Sequence, residues 1–352
     1  MANPYQVESV VRARYSVAAR ERIEALCCPV EYDQQYLTAI PAEVLERDYG
    51  CGDPSRYLQR GETVLDLGSG AGKICFIAAQ VVGPAGKVIG VDINDEMLAV
   101  ARCHQQAVGQ TIGWHNVEFR KGRIQDLALD LERLEAELRE HPLAEADAFL
   151  DVEARAEELR RCHPLIASES IDVVVSNCVL NLVDSIAKGT LFHEVFRVLR
   201  WGGRAVISDI VSDRAVPQAL QNDPELWSGC IAGSLTEEAF VQAFQSSGFS
   251  GVRILKLDAI PWRSVQGIHF RSMTIEAFKQ QNRPGASNGY WVIYKGPFQK
   301  CCDEHGTCYE RGRRYAVDDQ QFKRLQQEPY RSYFAFIAPE GAQPTRTAKR
   351  CC

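Results

Sequence analysis

"VLDLGSGAGKICFIAA", residues 64–79, decides the fold: a short apolar run leads into Gly68, Gly70 and Gly72 and then into a stretch with helical spacing. A strand, a glycine turn and a helix in that order let a ligand approach the backbone at the helix's positive end. The triplet alone is weak evidence. A dinucleotide fingerprint wants glycine or alanine at its sixth position, where strand and helix pack closely, and this chain has Lys73 there. That residue counts against a dehydrogenase. Asp66 lies just before the loop, placed to order it and to meet a ligand's amino group. Asp92 ends the next apolar run, "KVIGVDIN", where an acid accepts hydrogen bonds from ribose hydroxyls. Helix capping or turn stabilisation is the alternative role for both acids.

Around this segment, "KVIGVD", "VEFRKG", "IDVVVSN" and "RAVISDI" are further Val- and Ile-rich runs, most of them separated by stretches that scan as helices. Strands alternating with helices predict a mostly parallel α/β sheet covered on both faces. Residues 1–60 read as a helical lead and 61–215 as the nucleotide-binding domain, with a charged helical hairpin inserted at about 127–170 and a break expected at Pro142. Residues 216–285 read as a substrate-binding segment that closes the sheet through "VRILKLDAI" and "FRSMTIEAFK". Residues 286–352 form a C-terminal lobe with one clear strand, "YWVIYKGPF", and a cysteine-containing tail.

The chain has 352 residues, 45% hydrophobic and 24% charged, and a net charge of -6, so it has no basic surplus to neutralise phosphates. Nucleic acid is excluded as an expected partner. No apolar run approaches the roughly 20 residues of a membrane span, and the first residues lack a signal peptide's uninterrupted apolar core. A cytosolic protein with reduced thiols is expected. Its 13 cysteines, an odd number, then point to thiolate chemistry, metal ligation or packing rather than to a disulfide framework.

Three cysteines stand at the positions such a fold gives its active site. Cys51, in "YGCGDP" between two glycines, precedes the first strand; Cys178, in "SNCVLNLV", follows the fourth; Cys230, in "LWSGCIAGSL", follows the fifth. Packing is the alternative reading of each, since free cysteine is often buried. Three thiolates suit a soft trivalent centre such as As(III), whose remaining lone pair is already nucleophilic. Methyl transfer to it needs no general base.

The glycine loop with Asp66 and Asp92 resembles a class I methyltransferase, which implies S-adenosylmethionine and a seven-stranded Rossmann-like sheet. In that resemblance Gly68, Gly70, Gly72, Asp92, Ile93 and Asn177 contact the cofactor, and Ile124 and Gln125 of "GRIQDL" flank its adenine. Tyr49 then lies by the sulfonium, an attraction of cation for ring face; core packing is the alternative reading of Tyr49 and of Trp227. Together "DYGCG", "LDLGSGAG", "VSNCVLNLV", "ISDI", "LWSGCIAGSL" and "VIYKG", spread over roughly residues 45–300, resemble the arsenite methyltransferase family. The resemblance implies that Cys178 and Cys230 hold arsenic, that Cys51 is the third, redox-active thiol, and that Cys27 and Cys28 are accessory. It also implies a thiol reductant, thioredoxin or glutathione. Another soft acceptor (selenium, tellurium, a thiol or an organoarsenical) is the alternative substrate, and a metalloid or zinc sensor the alternative class. Two features depart from the family: the hairpin is larger than usual, and Gln125 stands where an acid is common. Trp227 lies near Cys230. Cys75, Cys103 and Cys162 have no motif around them and read as packing or incidental placement. "CCDEHGTC" suggests half a zinc site from Cys301, Cys302, His305 and Cys308, and the terminal Cys351 and Cys352 form a vicinal pair.

Overall fold

The Val- and Ile-rich runs become strands, and the stretches between them become helices. A computed structural model describes residues 4–23, 26, 30–140, 148–280, 287–304 and 306–339. Cys27, Cys28, Pro142, His305, Cys351 and Cys352, all named above, lie outside the described residues. The chain divides into two units, Met1–Lys279 and Gln280–Cys352.

The first unit opens with α1 (Pro4–Ala18), α2 (Gln34–Leu37) and α3 (Ala42–Glu46). Then follow β1 (Thr63–Leu67), α4 (Lys73–Val82), β2 (Lys87–Asp92), α5 (Asp95–Ile112) and β3 (Val117–Lys121). The insertion supplies α6 (Leu131–Glu140) and α7 (Ala148–Cys162), the two helices expected there. After them come β4 (Ile171–Asn177), α8 (Ala187–Val198), β5 (Leu199–Ser212), α9 (Gln218–Gln221), α10 (Pro224–Ser228), β6 (Leu235–Thr236), α11 (Glu237–Ser246), β7 (Ser250–Leu257), β8 (Arg263–Val265) and β9 (Ile268–Phe278).

The sheet runs β3-β2-β1-β4-β5-β9-β7, with the short β6 beside β5 and β8 beside β9. Strands β1 to β5 pair in parallel, while β9 is antiparallel to β5 and to β7. This is the mostly parallel seven-strand order expected, with two short strands added at its rim. Alternation sends neighbouring residues to opposite faces. Val64 and Val175 thus join one core with Phe76, Ile77 and Met97, whereas Leu65 and Val174 join the other with Phe192 and Phe244. Strand order reverses direction at β1, whose neighbours are β2 on one side and β4 on the other. A crevice at the carboxyl ends of those strands is the ligand position in such sheets.

The second unit holds β10 (Ser287–Tyr294), β11 (Lys300–Cys302), β12 (Cys308–Glu310), β13 (Arg314–Asp318), α12 (Asp319–Leu325) and β14 (Phe334–Ile337). Strands β13, β10 and β14 make an antiparallel sheet, and β11 and β12 a separate hairpin. Its core contains Val292, Tyr294, Tyr309, Phe322 and Phe334. Of the residues that suggest half a zinc site, Cys302 and Cys308 are joined in a disulfide, and strand alternation turns the free Cys301 towards the core. Among the described residues no helix is long and apolar enough to cross a membrane.

Candidate active site

Gly68, Gly70 and Gly72 have φ of 68°, 51° and 93°, left-handed values that a side chain resists. A Cβ on Gly68 would also run into the Val179 side chain. The loop they form borders a cavity of about 360 Å³ whose lining includes Asp66, Gly68, Gly70, Asp92, Ile93, Ile124, Gln125, Asn177 and Cys178. Gly72 is outside that lining; it caps α4, where a Cβ would press on Phe119 at 2.8 Å. Asp92 accepts from the N–H groups of Gly70 and Asn94, each at 2.8 Å, and so ties the loop to the end of β2. Burial raises its carboxyl above the usual range, and those backbone donors pull it back. Burial, with Asp92 and Asp48 nearby, pushes Asp66 up to about 7, although the Cys75 thiol, 3.2 Å away, donates to it and opposes the rise.

Lys73, the residue that breaks the dinucleotide fingerprint, has a structural reason. Its Nζ pairs with Asp48 at 2.7 Å and lies 3.6 Å from the Tyr32 ring centre, linking the start of α4 to the segment that carries Cys51. The lining also suits a nucleoside-bearing cofactor. An acid ends β2, aliphatic Ile93 and Ile124 offer faces for a base, and the buried Ser69 hydroxyl in the loop has no partner among the described residues. The insertion contributes here: Arg160 of α7 pairs with Asp126 at 2.9 Å, bracing the turn that carries Ile124 and Gln125.

Helix α1 contributes Val7, Val11 and Tyr15 to the same lining. It is fixed at both sides, by Glu8 to Arg123 at 3.0 Å and by Arg14 to the carbonyl of Glu225 at 2.8 Å and to Ser228 at 2.7 Å. Tyr49 lines the cavity, donates its hydroxyl to the Ala18 carbonyl at 3.0 Å and meets Tyr15 edge-on. Burial first, then the Cys230 and Cys178 thiols, raise the Tyr15 phenol well above its ordinary value. Tyr15 escaped the reading of the sequence, although Val7, Val11 and Tyr15 recur every fourth residue, the stripe of a helix face.

The sulfurs of Cys51 and Cys178 and a carboxylate oxygen of Asp209 lie within 4.8 Å of one another. Cys230 stands beside this triplet and not within it; its thiol donates to the Cys178 carbonyl at 3.1 Å. All three cysteines are buried in one apolar cluster with Ile210, Ile231 and Phe270, and Cys178 is the one that lines the cavity. Asn177 accepts from the N–H groups of Cys51 and Gly52 at 2.9 and 3.0 Å, and donates to the Gly52 carbonyl at 2.7 Å. It therefore clamps the thiol-bearing turn, and Gly50 is glycine because a Cβ there would strike that same amide. Trp227 donates its indole N–H to the Leu182 carbonyl at 3.2 Å, which holds α10 against the loop after Cys178.

Asp209 and Asn181 were not singled out in the sequence. Asp209 accepts from the Leu180 N–H and from the Asn181 amide, each at 2.8 Å, and the same amide donates to the Ile210 carbonyl at 2.6 Å and the Cys230 carbonyl at 3.4 Å. One buried pair thus supports the loops of both cysteines. Burial pushes Asp209 up to about 6, opposed by the Ile210 N–H and by Lys188. Lys188, which donates to the Gly233 carbonyl, is drawn down to about 8 by its own burial. The signal available was an acid inside the apolar run "VISDIV", since a buried charge there needs partners.

The sheet order, the glycine loop and the acid ending β2 define a class I methyltransferase. A family model described as a methyltransferase domain matches residues 58–248, and one described as a domain of unknown function matches residues 281–352. Arsenite methyltransferase of Aquipseudomonas alcaligenes is 32% identical over 314 residues, covering 86% of this chain and 80% of that protein. That of Halobacterium salinarum is 37% identical over 229 residues, 64% of this chain and 47% of the relative, so the match spans about half the latter's length. The crystal structure of an arsenic (III) S-adenosylmethionine methyltransferase from Chlamydomonas reinhardtii matches with a TM-score of 0.59 at 27% identity, over 90% of this chain and 98% of that one. The chain belongs to the arsenite methyltransferase family.

Proposed function

We propose that this protein transfers the methyl group of S-adenosylmethionine to trivalent arsenic held by Cys51, Cys178 and Cys230. The observation that carries the reading is the meeting of the Cys51 and Cys178 sulfurs within 4.8 Å, with Cys230 hydrogen-bonded to Cys178, at the edge of the cavity that the glycine loop borders.

Gly68, Gly70, Asp66 and Asp92 hold the cofactor, with Ile93, Ile124 and Gln125 along its base and Tyr49 near its sulfonium. When bound, S-adenosylmethionine supplies an electrophilic methyl group. The residues of this chain do the aiming. Cys178 lines the cavity with its sulfur close to that of Cys51, Asn177 fixes the turn of Cys51, and Cys230 reaches the same centre once its thiol releases the Cys178 carbonyl. The apolar cluster around the thiols keeps water away from them. Thiolate-bound arsenic carries its own lone pair, so alignment replaces a general base.

Methylation formally oxidises arsenic. Two thiols that close to a disulfide return it to the trivalent state, and Cys51 is the thiol we assign to that step. Thioredoxin or glutathione then opens the disulfide by exchange. The test is incubation with labelled S-adenosylmethionine, arsenite and excess thiol, followed by chromatography of the arsenic products. Methylated arsenicals are expected from the wild type and none from Cys178→Ser or Cys230→Ser. Equilibrium dialysis that finds no S-adenosylmethionine binding would overturn the reading in favour of a metalloid sensor.

A further inference from the structure

The hairpin β11–β12 of the second unit carries thiol chemistry that the methyl transfer does not use. Cys302 and Cys308 are register partners across the two strands and are joined to each other. Both are exposed, so a small thiol in solution reaches the disulfide, and exposed disulfides are the more readily reduced ones.

The hairpin does not depend on that bond for its shape. Asp303 accepts the Thr307 N–H at 2.9 Å, the Tyr309 hydroxyl at 3.3 Å and Arg324 at 3.0 Å. The Asp303–Arg324 pair is almost fully buried, and Tyr309 is 1% exposed within the core of the unit. Opening the disulfide therefore leaves the two thiols facing each other across an anchored turn. A preorganised pair of this kind loses little freedom when it binds one atom with both sulfurs.

We propose that reduced Cys302 and Cys308 form a second arsenical site, separate from the thiols of the first unit, which holds trivalent arsenic through two sulfurs. The choice of arsenic rests on the functional reading above; the two-sulfur geometry does not. Two moles of a monothiol reduce the disulfide to two cysteine thiols and are themselves oxidised to one external disulfide. The two thiols then displace two hydroxyls from arsenite, two As–S bonds form, and two water molecules leave. The third arsenic valence keeps its hydroxyl, or the methyl group of a methylated trivalent product. Zinc fits less well, because it asks for four ligands, and Cys301 is turned into the core from the same strand.

The test uses the full-length protein, reduced with excess glutathione, desalted without oxygen and treated with phenylarsine oxide or arsenite. Trypsin cleavage after Lys300 and Arg311 releases residues 301–311, which carry Cys301, Cys302 and Cys308 in one peptide. The expected result is a phenylarsenic adduct on that peptide in wild type and in Cys301→Ser. The adduct is absent from Cys302→Ser, from Cys308→Ser and from protein never reduced. Arsenite bound per chain falls by one in the two variants. An unlabelled peptide after reduction, an adduct that persists in Cys302→Ser, or a disulfide that survives glutathione would each overturn the proposal. The unreduced wild type is the control should a variant fail to fold. Methylation assayed on the same samples separates the two readings: an adduct without methylation removes the enzymatic function and leaves this site. Methylation by Cys302→Ser at the wild-type rate, without the adduct, supports both.

Discussion

The thiol of Cys230 donates to the carbonyl oxygen of Cys178 at 3.1 Å, and both residues hold left-handed backbone, with φ of 61° and 64°. Non-glycine residues resist that conformation by about 1–2 kcal/mol each, so two of them in contact mark a site whose surroundings impose the geometry. Cys230→Gly is therefore expected to unfold at higher urea than Cys230→Ala, by about 1 kcal/mol, the reverse of the usual order. Both variants should lose about a hundredfold or more in arsenic methylation, because one of the three sulfurs is gone. Equal stabilities would show that the backbone there is unstrained.

Asn181 and Asp209 hold the loops of both cysteines. Asn181→Ala leaves a buried carboxylate and two carbonyls short of a donor, which costs about 1–3 kcal/mol of stability. Arsenite affinity should fall while S-adenosylmethionine affinity stays at the wild-type value. Calorimetry with each ligand checks this, and a parallel loss of both would assign Asn181 a general structural role.

Asp92 accepts two backbone N–H bonds from the loop and its flank. Asp92→Ala removes those acceptors together with the one we assign to the ribose. A loss of about 1.5–3 kcal/mol, roughly tenfold to a hundredfold in cofactor affinity, is expected by equilibrium dialysis. Unchanged binding would place the cofactor elsewhere.

Asp66 titrates at about 7 in the folded chain, against an ordinary value of 3.8. The folded state therefore binds the extra proton, and the ligand-free protein loses stability as pH rises from about 4 to 7, with no further change from this group above that. An ammonium group on the ligand favours the carboxylate, so cofactor affinity should rise with pH up to about 7 and then level off. Binding below pH 7 should release protons, measurable by calorimetry in buffers of different ionisation heat. In Asp66→Asn both effects should vanish; their persistence would assign the titration to another group.

The strand–glycine–helix segment and the Val- and Ile-rich runs were legible because a parallel sheet buried on both faces writes itself as apolar strands. Cys178 and Cys51 could be singled out from position along the chain. Asp209 shows in the sequence only as an acid inside an apolar run; which loops its oxygens reach is set once β5 pairs with β4 and β9. Lys73 was legible only as a departure, and Asp48 and the Tyr32 ring supply its reason. For "CCDEHGTC", cysteine spacing along a chain does not say which face of a strand each sulfur takes. The hairpin turned Cys302 and Cys308 to each other and Cys301 inward.

Cys178 and Cys230 are 52 residues apart in the chain, and Cys51 lies further still from either. During vectorial synthesis each of these sulfurs leaves the ribosome alone, and a lone thiol grips a metalloid weakly because chelation needs several donors at high local concentration. On the proposed assignment, the three-sulfur site of the first unit is complete only when α10 has emerged and docked, so arsenic binding there follows folding and not cysteine content.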